Sequence, residues 1–266
     1  MIPTSACVVV ESGPADAEQS VLLLPGGWCT AVFYEELMAE PALAGMRLVA
    51  VTLPGNGDVP APADVSMESY ARLASSLAAE YGCDVVVGHS CGANIALEMA
   101  ASRGFTGPVV LLAPCFSRQD ESLVVRVADR LARGLGWLPF EALRRLLPLA
   151  VRDSPLPPAR TQVLVAELRK NDPRSMRRVM HAYLRYLDRY GSVASRLGES
   201  GVPAWVVHGE SGDGGMTADE RRVMQAYGSV RIVTIPGPSF FTASEEPALV
   251  AGIVVQALHA GTEAPA

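Results

Sequence analysis

The chain has 266 residues, 49% of them hydrophobic, and carries 22 basic against 28 acidic residues for a net charge of −6. That length suits one large domain with room for an insertion, and no apolar run reaches the roughly 18 residues of a membrane span. Five scattered cysteines without Cys-x-x-Cys spacing and four histidines without metal-ligand spacing argue against a disulfide framework or a zinc site. No cofactor, metal, nucleic acid or membrane partner is expected. The residues after Met1 lack a basic region leading into an apolar stretch, so a cytoplasmic location is expected.

In chain order, Cys7–Val10 and Ser20–Leu24 are predicted strands, the second running into Pro25-Gly26-Gly27-Trp28. Arg47–Leu53 is a third strand, ending in Pro54-Gly55-Asn56-Gly57. Tyr70, Leu73, Ala74 and Leu77 form an apolar stripe that predicts a helix over 66–81 with Ser66 as its N-cap. The β-branched run Val85-Val86-Val87 is a buried strand, and Asn94–Met99 belongs to the helix after it. Pro108–Ala113 is a further strand. Strands alternating with helices imply a mostly parallel sheet covered on both faces, an α/β architecture.

Between Val87 and Asn94 lies Gly88-His89-Ser90-Cys91-Gly92, a strand-turn-helix with serine at its tip. Small residues flank the serine because strand and helix pass close together. Through this elbow the chain resembles the α/β-hydrolase superfamily. The resemblance implies Ser90 as nucleophile and an oxyanion hole from the backbone N–H groups of Gly27 and Cys91. It also implies a pocket beside the elbow, for which Trp28, His89, Met180, Tyr183 and Phe240 are the candidate walls.

After Cys115 the alternation stops. Residues 116–200 read as helices broken by Gly and Pro, the position of the superfamily's inserted lid, so 1–115 and 201–266 are expected to form the core. This stretch carries 16 basic against 9 acidic residues, while the remainder carries 6 against 19. A basic lid suits an acidic acyl carrier protein or a coenzyme A thioester as well as a free small molecule. Asp172-Pro173 opens its clearest helix, and Met176, Met180, Tyr183, Leu187 and Tyr190 form an inward stripe. The core resumes with a strand at Val202–Glu210. His208-Gly209-Glu210-Ser211-Gly212-Asp213 then resembles the loop that carries the triad acid, one residue longer than usual. Asp213 is the first choice for that acid, with Glu210 and Asp120 behind it. Thr217–Ala226 and Glu246–His259 read as helices, with a strand at Val230–Ile235 between them.

The superfamily's catalytic histidine follows the last strand in a frame close to Pro-Gly-x-x-His-Phe. This chain reads Pro236-Gly237-Pro238-Ser239-Phe240-Phe241, with phenylalanine in that place. A serine hydroxyl needs a base to attack and an acid to release the leaving group, and a phenyl ring supplies neither. His89, His181 and His208 each have a structural reading beside that of a substitute base. Three functions follow as expectations. The first is a lyase, cyclase or isomerase acting on an apolar carbonyl compound such as a polyketide-like metabolite. The second is an esterase or thioesterase with a relocated base, and the third a non-catalytic ligand-binding protein.

Overall fold

The structure, a computed structural model, describes residues 2–152, 155–211 and 216–263. Its sheet has seven strands: β1 (Val8–Ser12), β2 (Ser20–Leu24), β3 (Arg47–Thr52), β4 (Val85–His89), β5 (Val109–Leu112), β6 (Ala204–Ser211) and β7 (Val230–Pro238). They lie in the order β1-β3-β2-β4-β5-β6-β7. β1 is antiparallel to β3 and every other pair is parallel. β4, which carries the elbow, is the middle strand.

Parallel neighbours need crossovers, and helices supply them. Leu22, Leu24, Val49, Val51, Val86 and Leu111 face one layer, built on α2 (Met67–Glu80) and α3 (Cys91–Ala101). Val21, Leu23, Ala50, Val87, Val110 and Trp205 face the other, built on α11 (Pro247–Glu263). The short helices α1 (Glu35–Met38) and α10 (Thr242–Glu245) also lie on that side. Strands with both faces covered read as continuous apolar runs. Caps fall where the sequence puts them. The Ser66 hydroxyl accepts from the Ser69 amide at 3.3 Å, and Thr217 and Glu220 form a reciprocal box at the start of α9 (Ala218–Gln225).

Between β5 and β6 run α4 (Leu123–Leu135), α5 (Leu138–Arg152), α6 (Pro158–Arg169), α7 (Pro173–Tyr190) and α8 (Ala194–Ser200). The Asp172 carboxylate caps α7 through the Ser175 amide at 2.9 Å. Met176, Met180, Tyr183 and Leu187 are buried, and Tyr190, partly exposed, packs edge-on against Tyr186. Polar ties fix this segment to α3 and to the loops after β2 and β3. Glu98 on α3 accepts from Tyr186 at 2.9 Å and Arg196 at 2.5 Å, and Asn171 donates to the Trp28 carbonyl at 2.8 Å while accepting from the Gly57 amide at 2.9 Å.

At the elbow Ser90 has φ 48° and ψ −118°, a left-handed conformation that a side chain adopts at a cost of about 1–3 kcal/mol. Two glycines make room for it. A Cβ on Gly88 would sit 2.4 Å from the Gly92 carbonyl oxygen, and one on Gly92 would sit 2.3 Å from the Leu24 carbonyl oxygen. Both obstacles are backbone, so neither moves without shifting a strand or helix. Gly92→Ala is therefore expected to cost about 3 kcal/mol of unfolding free energy by urea denaturation. A loss below about 0.5 kcal/mol would mean that the β2–α3 approach is looser than described.

Candidate active site

Ser90 opens onto a cavity of about 160 Å³. The loop after β2 supplies Gly27, Trp28, Cys29 and Thr30 to its wall. The helical segment supplies Glu121, Val125, Leu147, Glu167 and Met180, and the loop after β7 supplies Phe240 and Phe241. A wider groove of about 450 Å³ runs between Ala63–Ser66 and α7, but no elbow residue borders it.

Gly27 and Cys91 meet at the elbow. A Cβ on Gly27 would lie 3.7 Å from that of Cys91. Neither residue's backbone N–H donates to a protein acceptor among the described residues, and Cys91 heads α3, where the helix dipole favours negative charge. Of the two residues expected to form the oxyanion hole, Gly27 borders the cavity and Cys91 does not. The Cys91 thiol is no nucleophile, because burial and then the charge of Glu121 push its pKa up to about 12. Burial likewise raises Cys29 to about 12.

Trp28 borders the cavity in a left-handed conformation with φ 67°. Asn56 accepts its amide at 2.7 Å, Asn171 donates to its carbonyl, and its ring meets Phe140 edge-on. Its indole Nε1 is buried without a partner among the described residues. Met180 and Phe240 also border the cavity. Tyr183 does not. It is buried one step away, donating from its hydroxyl to Asn94 Oδ1 at 3.2 Å between α7 and α3.

His89 is the second correction, because it does not border the cavity. Neighbouring residues of a strand point to opposite faces, so the residue before Ser90 turns into the core. Its ring stacks on Phe33 at 4.4 Å and meets Phe240 edge-on at 4.9 Å. His89 Nε2 donates to the Phe240 carbonyl at 2.7 Å, while Nδ1 is buried without a partner among the described residues. Burial lowers its pKa to about 4, so the ring is neutral near pH 7. His89 therefore fastens the loop that presents Phe240.

The other histidines lie elsewhere. His208 donates from Nδ1 to the Gly209 carbonyl at 2.7 Å and receives Arg221 on Nε2 at 2.9 Å. Burial and then Arg221 oppose its protonation. His181 bonds Asp129 at 2.8 Å on α7, and His259 lies exposed on α11. Among the described residues no imidazole borders the cavity. Asp213 lies outside the described residues. Glu210 receives the Gly237 amide at 3.3 Å, and Asp120 ties the turn amides of Phe116 and Ser117 at 3.0 and 2.7 Å.

Sequence reasoning missed Cys29, Thr30, Phe33, Glu121 and Glu167. Glu167 left a trace: it falls on the helical face of Leu164 and Leu168, an acid within an apolar stripe. It accepts from the Thr30 hydroxyl at 2.9 Å and pairs with Lys170 at 2.5 Å. Glu121 left none, since it belongs to a turn.

The sequence matches the Alpha/beta hydrolase family over residues 21–253. The chain belongs to that family. Among curated proteins none matches it. Solved structures similar to this alpha/beta hydrolase include an esterase from Rhodococcus sp., at 19% identity and TM-score 0.73, covering 95% of this chain and 94% of the other. A thermophilic esterase from Thermogutta terrifontis shares 18% identity at TM-score 0.70, covering 96% and 93%. The epoxide hydrolase CorEH shares 18% at 0.71, covering 95% and 94%. At these identities the likeness is one of fold, and the fold hosts several chemistries. No helix among the described residues is long and apolar enough to cross a membrane.

Because folding lowers the His89 pKa, its contribution to stability is whole above about pH 6.5, the ordinary histidine value. It fades as pH falls from there toward about 4, by about 3 kcal/mol in all. His89→Gln should flatten that part of the stability-versus-pH curve relative to the parent, as read by urea unfolding at pH 7 and pH 4.5. An unchanged slope would show that His89 is not buried against Phe240.

Proposed function

We propose that this alpha/beta hydrolase is an enzyme that does not hydrolyse through Ser90. It acts as a lyase, cyclase or isomerase on an apolar, carbonyl-containing small molecule such as a polyketide-like metabolite. The observation that carries this reading is Phe240, which borders the same cavity as Ser90 in the place of the proton shuttle. An alkoxide cannot form at neutral pH without a group to take its proton.

In this reading the substrate carbonyl lies against the Gly27 and Cys91 amides, Glu121 takes a proton from the carbon beside that carbonyl, and the amides stabilise the negative charge of the resulting enolate until the proton is returned to carbon. The Ser90 hydroxyl donates a third hydrogen bond rather than attacking. Phe33, Phe240, Phe241 and Met180 exclude water, which strengthens each of these dipoles. The buried Trp28 indole N–H serves as donor to a second substrate oxygen, and residues 116–200 act as the lid.

A second reading, a serine esterase or thioesterase with a relocated base, draws on Glu121, a carboxylate in the same cavity. The two readings separate on labelling and ester turnover. The parent protein should resist a fluorophosphonate probe at Ser90 and hydrolyse p-nitrophenyl butyrate no faster than Ser90→Ala. Phe240→His should gain both labelling and an esterase rate at least about tenfold higher. Rapid labelling of the parent at Ser90, with ester turnover lost in Ser90→Ala, would overturn the first reading in favour of the second. Tight retention of a carbonyl ligand for hours without product would reassign the protein to ligand binding.

A further inference from the structure

The outer face of α4 is divided along its length. Leu123, Val127, Leu131 and Leu135 recur at every fourth position and are exposed by 66, 46, 51 and 54%. Helical spacing places them in one stripe, with Val124 beside it. Arg126, Arg130 and Arg133 run along one edge of that stripe. The inner face, Val125, Ala128, Asp129 and Ala132, is buried, so the helix shows the solvent no acid. Asp129 is already held by Arg118 and His181, whereas no ion pair engages Arg126, Arg130 or Arg133 among the described residues.

The arginine edge slopes into a groove of about 420 Å³ between α4 and the end of α7, with Leu123, Val127 and Leu187 in its walls. Arg126 Nε is buried beside it without a hydrogen-bond partner among the described residues. The opposite side of the same helix reaches the catalytic cavity, through Val125 and the capping residue Ser122. An occupant of the outer face therefore sits one helix diameter from the substrate.

We infer that α4 and this groove are the docking surface for a small acidic helical protein, of the acyl-carrier class, which delivers an apolar substrate to the cavity. Aliphatic residues on such a partner cover the stripe, and its carboxylates meet the arginine edge. A second copy of this chain fits poorly, because a two-fold contact across α4 would set one arginine edge against the other, and the acid in the groove, Asp188, is already paired with Arg118. A lipid surface fits poorly too. It is flat, whereas the cations line only one edge and lead into a concavity. The inference rests on the proposed function only for the identity of the cargo, so binding is tested apart from turnover.

The probe is a purified acyl carrier protein, octanoylated or unacylated, with a Leu/Glu amphipathic peptide beside it, titrated against the full chain by fluorescence anisotropy at low salt. Saturable micromolar binding is expected, weakened by added salt. Arg126→Glu/Arg130→Glu and Val127→Asp/Leu131→Asp should each raise Kd at least tenfold. Arg103→Glu, at the end of α3 away from Ser90, should leave it within twofold. Arg130, Val127, Leu131 and Arg103 are exposed and Arg126 is half-buried, and circular dichroism checks the fold of each variant. Absence of saturable binding to both probes, or binding indifferent to the α4 changes, overturns the inference. So does binding to phosphatidylglycerol vesicles but not to the carrier, or self-association abolished by Val127→Asp/Leu131→Asp. If the carrier binds as expected and Ser90 proves to be a labelled nucleophile, the docking surface stands and only the reaction class changes.

Discussion

The left-handed turn at Ser90 is the constraint on which the site depends, and the sheet is arranged to hold it. β4 is the central strand, so the elbow leaves the sheet where neighbouring strands brace it on both sides. The strain at Ser90 persists because Gly88 and Gly92 let the strand, the helix and the end of β2 come within backbone contact. The same approach brings the loop after β2 against the head of α3. Gly27, which lines the cavity, is thereby set beside Cys91 at the head of α3, which does not line it.

A different interaction decides what the site can do with that geometry. The loop after β7 normally supplies a proton shuttle on this fold, and here it is fastened by His89 to the Phe240 carbonyl. His89 lies in the layer behind the cavity, neutral, stacked on Phe33 and edge-on to Phe240. At the cavity itself Phe240 presents a ring that excludes water.

Much of this was legible in the residues. The apolar runs located the strands, Ser66 and Asp172 announced their helices, and the Gly88–Gly92 spacing announced the elbow. Each is a local signal, decided within a few residues. The pocket was less legible because its walls come from segments scattered from Gly27 to Phe241. Strand alternation could have placed His89 behind the serine instead of beside it. Tyr183 could not be separated from Met180 by spacing alone, since both lie on the buried stripe of α7. Glu121 sits in a turn whose position depends on how the inserted helices settle on the sheet, and no sequence period encodes that.

Glu121 also bears on the reaction itself. Burial comes first in raising the pKa of Cys91, Cys115 and Tyr183, but the charge of Glu121 contributes to all three. Its field therefore reaches the corner where the Gly27 and Cys91 amides lie. Among the described residues the cavity is lined by two carboxylates, Glu121 and Glu167, and by no imidazole, so under the proposed function it is a carboxylate that moves protons on the substrate.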